Sequence, residues 1–190
     1  MILARKSPSR AESLFRERRD EGFTVLELLL VVAMVAVLSG MMLGAGRYAR
    51  DSGRAARASA ELASLASALE SYRLAYGDYP RTGQPARFLQ ALVGRRGPAG
   101  DPISARSLIE LGRYRVGAGG DPLLNEAAEL IDPWGTPYGY AYKSELPWGN
   151  PAYVLYSAGP DGRFGAALLT GGFPDCLAAD NDDNLWANAP

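Results

Sequence analysis

Gly22-Phe23-Thr24-Val25-Leu26-Glu27-Leu28 opens onto the uncharged stretch LLLVVAMVAVLSGMML of residues 28–43, and this junction decides how the chain must fold. At about 1.5 Å per residue, a helix over residues 23–46 is about 36 Å long, which suffices for a hydrocarbon layer of about 30 Å. The stretch therefore predicts one spanning helix. Its single charge is Glu27. A charge at that depth costs at least about 2.5–3.5 kcal/mol, so the carboxylate requires a partner. Residues 1–22 are polar, with six Lys/Arg against four Asp/Glu, and have no apolar core of the kind a secretory leader carries. Six basic residues precede the apolar run and four follow in its first turns (Arg47, Arg50, Arg54 and Arg57), a bias toward a cytoplasmic N-terminus that is only slight.

Helical periodicity continues past the apolar run. Leu62, Leu65, Leu69, Tyr72 and Tyr76 recur at three- and four-residue steps, and Gly77 and Pro80 end the pattern. A continuous helix over 23–76 is about 80 Å long. Its first part, 23–46, belongs in lipid or a filament core, and its continuation, 47–77, is amphipathic and packs on a domain formed by 78–190. Gly40, Gly44, Gly46 and Gly53 are poor helix formers, each costing about 1 kcal/mol relative to Ala, and mark a stretch where the helix is expected to loosen.

Beyond Pro80 the chain is rich in Gly and Pro. Short helices are predicted at 87–93 and 104–111, with a looser segment at 95–101. Tyr138, Tyr140 and Tyr142 alternate with other residues, as do residues 153–157, which predicts two antiparallel strands joined by a loop over 144–150. The last thirty residues read as irregular. The fold class is thus α+β: a long N-terminal helix, transmembrane and then amphipathic, packed on a small antiparallel sheet with an irregular C-terminal loop.

Composition excludes several functions. There is no histidine and one cysteine, Cys176, so neither a Cys/His zinc site nor an intrachain disulfide can form. A net charge of −1 and the lack of a basic-aromatic array speak against nucleic-acid binding. A membrane-tethered hydrolase using two aspartates is a competing reading, but no histidine, serine motif or phosphate-cradling loop supports it, and the acids cluster in a terminal loop.

The 22–28 segment resembles the leader junction of type IV pilins and of type II secretion pseudopilins. In those proteins a membrane peptidase cuts after the glycine, the new N-terminal phenylalanine is methylated, and a glutamate follows four residues later. By that resemblance Gly22 and Phe23 mark processing and Glu27 serves assembly. The Phe23 amine created by cleavage would lie about one helical turn from the Glu27 carboxylate and could pair with it, within the subunit or across to a neighbour. A pair across subunits would set axial register, as a buried polar residue does in a coiled coil. Four further segments resemble the major (G-type) pseudopilin: Tyr76-Gly77-Asp78-Tyr79-Pro80, Phe88-Leu89-Gln90-Ala91-Leu92-Val93, Asp132-Pro133-Trp134-Gly135-Thr136-Pro137-Tyr138 and Ser157-Ala158-Gly159-Pro160-Asp161-Gly162. The chain departs from that pattern in a longer leader, in residues 95–130, which read as an insertion, and in an extended loop between Gly162 and Asp180.

The resemblance implies a pilin-like fold and a structural, non-enzymatic subunit of the type II secretion pseudopilus. It also implies as partners copies of itself and other pseudopilins, a prepilin peptidase and the inner-membrane platform of the secretion system. The chain would be a single-pass inner-membrane protein with its C-terminal domain in the periplasm, drawn into a periplasmic filament that supports protein export. The presence of Glu27 speaks against the tip-most minor subunit, which in this family often lacks it. A subunit of a true type IV pilus, serving adhesion, motility or DNA uptake, and a monomeric anchored calcium-binding module stand as alternatives.

Asp132-Pro133-Trp134-Gly135 reads as a turn, with the aspartate accepting backbone N–H groups. The remaining acids suggest a cation. Asp161 follows the second strand, and Asp180, Asp182 and Asp183 lie in the tail. Calcium takes six to eight oxygen ligands and tolerates irregular loops. Carried over from the major pseudopilins, its ligands would be the Ala158 carbonyl and the side chains of Asp161, Asp182 and Asp183, with Asp180 able to replace one of the tail acids. Arg47, Arg50, Arg54 and Arg57 share one helix face, suited either to lipid headgroups or to acids such as Glu61 and Glu70 of neighbouring subunits.

Overall fold

The computed structural model describes residues 23–117, 120–145, 147–164 and 168–188, without the side chains of 42–47. Contacts divide the chain at Ala45/Gly46 into two units. Helix α1 is assigned over Val25–Tyr76 with no break at Gly40, Gly44, Gly46 or Gly53, contrary to the loosening expected there. Gly in a helix lowers its stability without removing a hydrogen bond, so neighbouring strong helix formers carry the helix through.

In the first unit, the described apolar side chains between Val25 and Met41 are all largely exposed; Leu26 is 79% and Leu38 58% accessible. Among the described residues of that unit nothing covers them. Among the described residues no helix is long and apolar enough to cross a membrane.

In the second unit, α1 turns one face inward. Ala58, Leu62, Leu65, Ala68, Leu69 and Tyr72 are buried; these include four of the five periodic positions read from the sequence, while the fifth, Tyr76, is half-buried. Gly77 ends the helix at φ +82°, its N–H donating to Arg73 O at 2.7 Å; only glycine adopts that angle without strain. Helix α2, Pro85–Leu92, starts on a proline whose missing N–H costs nothing at a first turn. It buries Phe88, Leu89 and Leu92 against the same core.

The strands are short. β1, Arg115–Gly117, pairs antiparallel with β2, Glu129–Ile131. β3, Gly139–Ala141, pairs with β4, Val154–Ser157, in the hairpin that the tyrosine alternation predicts. Tyr138, Tyr140 and Tyr142 all point into the core, where Tyr140 stacks on Phe88 with ring centroids 4.4 Å apart. β5, Leu168–Leu169, pairs with β6, Phe173–Pro174, and β7, Leu185–Trp186, adds to the other edge of β4. The tail is therefore less irregular than its sequence suggests, and among the described residues three small antiparallel sheets replace the single expected one.

Residues 104–111 do not form the expected helix. A single 3-10 turn follows at Leu111–Arg113. The N–H groups of Ile103, Ala105 and Leu108 instead donate to the carbonyls of Arg95, Gly94 and Leu92, each at 2.9 Å. Ser107 Oγ donates to Ile109 O at 2.7 Å and accepts from Ile109 N at 3.3 Å. These bonds hold the segment extended and use the groups a helix needs.

Two polar knots, one on α1 and one on the turn after it, bind this part of the chain to the tyrosine segment 138–142. Glu61, 8% exposed, accepts from Tyr138 Oη at 2.6 Å and from Arg57 Nε at 2.7 Å. Asp78 accepts from Tyr142 Oη at 2.7 Å, Arg81 Nη2 at 2.8 Å and Lys143 Nζ at 3.1 Å. Burial pushes the Asp78 carboxyl up, but the bonds from Tyr142, Arg81, Lys143 and the Tyr79 N–H outweigh it and hold the group well below the usual carboxylate range.

Candidate functional site

The register of β4 with β7 builds the candidate cation site. Tyr156 faces Trp186 and Ser157 faces Leu185, so the turn leaving β4, residues 158–163, lies beside the segment entering β7, residues 181–184. Gly159 makes the approach possible. At φ +65°, a Cβ added there would sit 2.3 Å from Asp183 O.

Across this contact the Asp161 N–H donates to Asp183 Oδ2 at 3.2 Å, and the Arg163 N–H donates to Asp161 Oδ1 at 2.7 Å. Asp161 and Asp183 are thus brought together, and Ala158 is fully buried beside them. Asp182 and Asp180 are exposed. Among the described residues no group of three His, Cys, Asp or Glu side chains is gathered as a metal cluster would need, so Asp182 does not join the other two.

Behind the turn, Asp132 holds the end of β4. Completely buried, it accepts from Trp134 N (3.0 Å), Gly135 N (2.8 Å) and Thr136 N (2.9 Å) through one oxygen, as its turn sequence predicts. Through the other it accepts from Ser157 Oγ at 2.6 Å. Ser157 Oγ accepts from Gly159 N at 3.3 Å.

Asn184, 8% exposed, supplies a feature the sequence reading missed. One end of its amide lies 3.2 Å from both Ala158 O and Arg163 O, and the other lies 2.9 Å from Asn181 Oδ1. Asn181, 2% exposed, commits its NH2 to Asp175 O at 2.7 Å. Whichever way the Asn184 amide is turned, its oxygen end faces another oxygen. A buried oxygen set of this kind, with two carboxylates alongside and no nitrogen or sulfur donor, fits a hard cation such as calcium.

At the other end of the chain, Gly22 lies outside the described residues. Phe23 is 74% exposed. Glu27 stands in the first turn of α1, where its N–H donates to Thr24 Oγ1 at 3.2 Å. Thr24 is an N-cap in a Thr-x-x-Glu pattern, a signal legible in the sequence that the resemblance to a processing junction overshadowed. It fixes the first helical turn, in which Glu27 stands, with Phe23 just ahead of it. Of the arginine row, Arg57 pairs with Glu61 of its own helix and Arg54 lies 3.9 Å from Asp51. Arg50 is exposed, and the Arg47 side chain lies outside the described residues.

Residues 47–169 match the family model described as type II secretion system (T2SS), protein G. The chain belongs to that family. Three protein G relatives, each named type II secretion system core protein G, match along most of their length. The Pseudomonas aeruginosa protein is 28% identical over 80% of this chain and 92% of its own. The Klebsiella pneumoniae protein is 30% identical over 76% and 88%, and that of Escherichia coli K12 29% identical over 77% and 86%. No solved structure matches the chain. Protein G subunits are structural, not enzymatic, and this protein G is a pseudopilus subunit. The paired aspartates are accordingly no hydrolase centre. The family match runs through 95–130, and that segment carries β1 and most of β2.

Proposed function

We propose that this protein G is cut after Gly22 by a prepilin peptidase, methylated on the Phe23 amine, and held in the inner membrane as a single-pass protein with its second unit in the periplasm. From there the secretion platform draws it into a pseudopilus with copies of itself and other pseudopilins, and the filament supports protein export. One observation carries this reading: the apolar side chains from Val25 to Met41 are exposed along their whole run, with Glu27 the one charge among them. A surface of that extent has to be covered by lipid or by neighbouring subunits, and a carboxylate within it needs a cation. The Phe23 amine, one turn away, supplies it.

Glu27→Leu tests the assembly role. The variant should insert and be processed, with a mature N-terminus at methylated Phe23, yet fail to enter filaments. Filaments of normal length and number from it would overturn that role. A parent protein whose mature N-terminus is not Phe23 would overturn the processing.

The same reading includes calcium at the β4–β7 turn, held by the Ala158 carbonyl and the carboxylates of Asp161 and Asp183. Asp182 would join only by turning its exposed side chain inward. Bound there, calcium would neutralise the facing carboxylates and tie the turn to the tail. Thermal unfolding with and without chelator tests this part. A midpoint unmoved by chelator, together with no calcium by mass spectrometry, would remove it.

A further inference from the structure

Resting on the reading that copies of this chain assemble with one another, we infer that the turn over residues 121–126 of one copy plugs a groove beside β3 of the next. The turn is built as a plug. Leu124 is 88% and Leu123 47% exposed, yet the backbone that carries them is tied down. The N–H groups of Leu124 and Asn125 donate to Asp121 O at 3.0 and 2.9 Å, and that of Leu123 to Asp121 Oδ1 at 2.8 Å. Gln90, itself buried, donates through Nε2 to Pro122 O at 2.8 Å, and Arg95 Nη2 donates to Leu123 O at 2.9 Å. Two acids flank the leucines: Asp121 is exposed, and Glu126, paired with Arg96 at 3.0 Å, is still 80% exposed. A single exposed leucine is ordinary. Two in succession on a turn fixed in advance are presented at little ordering cost to whatever binds them.

The groove has the complementary make. It holds about 810 Å3 between the 81–87 segment, β3 and the side chains of Phe164 and Leu168. Tyr156, Phe164, Leu168 and Ala141 give it an apolar floor. Gly139 belongs to that floor because a Cβ there would overlap the Tyr156 ring. Tyr156 is only 7% exposed, and among the described residues its hydroxyl has no hydrogen-bond partner, although the residue lines the groove. That hydroxyl is free to donate to an incoming carbonyl or carboxylate. The rim is basic. Arg81 and Lys143 share the one carboxylate of Asp78, and Arg87 is exposed with no ion pair among the described residues, so the bases outnumber the acids even with Glu145 at the edge.

Leucines between acids thus match an apolar floor between bases, which is the charge pattern that sets register at an interface while the apolar anchor supplies the strength. Both halves lie on one chain. Helix α2 runs between them: Pro85 and Arg87 in its first turn line the groove, whereas Gln90 near its end and Arg95 beyond it hold the plug. The exposure of Leu124 means that a copy does not fill its own groove. A plug and a groove at different places on one surface make a heterologous contact, which propagates from copy to copy as an open helix unless its rotation closes a ring. A second copy is therefore the occupant, and the contact is of the kind a filament subunit needs.

The test is disulfide crosslinking of the full-length chain in cells that carry its secretion platform. With Cys176 replaced by serine, Leu124→Cys and Gln84→Cys, both at exposed positions, are combined in one chain and oxidised. A ladder of dimers, trimers and higher multimers is expected from the pair, and little dimer from either cysteine alone. A two-fold contact between the same residues would stop at the dimer. Filaments from the pair without a ladder, or with one matched by the dimers of the single variants, would overturn the inference and leave assembly standing. A parent that forms no filaments would remove both. Gln84→Cys that crosslinks to a different protein, with no ladder from the pair, would give the groove another occupant and likewise overturn the inference. Leu124→Asp decides the matter without oxidation. It should melt at the parent's temperature and form about 10- to 30-fold fewer filaments, as loss of a central apolar anchor typically does. The parent's number of filaments from that variant would also overturn the inference.

Discussion

Replacing Asp132 by alanine should be among the most damaging single changes in the second unit. The carboxylate is fully buried and accepts four bonds: three main-chain N–H groups of its own turn and the Ser157 hydroxyl at 2.6 Å. Each bond to a charged acceptor is worth about 1.5–3 kcal/mol, and the four are not additive because they share one group. Removing one partner of a buried charged network costs about 3–5 kcal/mol, a large share of the 5–15 kcal/mol that holds a typical domain together. Asp132→Asn differs in kind. Its remaining oxygen can still serve the three N–H groups, and Ser157 can turn to accept from the new NH2, so a loss of about 1–2 kcal/mol is expected. The assay is urea unfolding of the full-length protein in detergent, followed by tryptophan fluorescence at unchanged m-value. For a chain of this size the alanine variant should also melt roughly 10 °C lower. An alanine variant within about 1 kcal/mol of the parent would refute the reasoning, because it would mean that water or a shifted turn satisfies the four donors. So would an asparagine variant as damaged as the alanine one.

Two further outcomes are expected. The Asp78 carboxyl is held well below its ordinary 3.8 despite its burial, so the stability it contributes is complete above that value and is lost as pH falls through the depressed folded value; Asp78→Asn should be less stable than the parent at pH 7 and lose less on acidification to pH 2, and parallel urea curves across that range would sink the idea. Gly159→Ala places a Cβ 2.3 Å from Asp183 O at a φ of +65°; it should cost at least about 1–2 kcal/mol for the left-handed angle alone, part the turn from the tail, and weaken calcium binding more than global stability, which calorimetry and melting together would show.

Features with a long period were legible in the sequence, and features fixed by tertiary pairing were not. The spacing of Leu62, Leu65, Leu69 and Tyr72 gave the buried face of α1, and the alternation of Tyr138, Tyr140 and Tyr142 gave β3 and its inward side. The Asp132 turn followed from the chemistry of Asp, Pro and Gly. β1, β2, β5, β6 and β7 are two or three residues long, too short to show a period of two, and each exists because its partner lies alongside. Residues 104–111 carry a helical pattern that loses to carbonyls of Leu92, Gly94 and Arg95. At the site, the acids drew attention and the asparagines did not, since Asn181 and Asn184 in an acidic tail look like solvated residues. Their three-residue spacing around Asp182 and Asp183, next to a 3-10 turn at Ala179–Asn181, was the available signal.

The same geometry explains how a chain with an extended loop between Gly162 and Asp180 can keep the turn after β4 against the tail. Both ends of that loop are clamped. The β4–β7 register fixes 158 against 184, and the Asp175–Asn181 bond ties the returning chain to its own turn before it reaches the acids. Between these clamps the loop makes its own hairpin, β5–β6, whose turn bonds to the 149–150 segment through Gly171 O. Closing a longer loop costs only about 0.6 kcal/mol for each doubling, and length added between clamps does not move either one. Insertion at this position is therefore tolerated because strand register positions the residues that face one another across the turn. Shifting that register by one residue would be far more costly, since it would turn Asp183 and Asn184 to opposite sides of the turn.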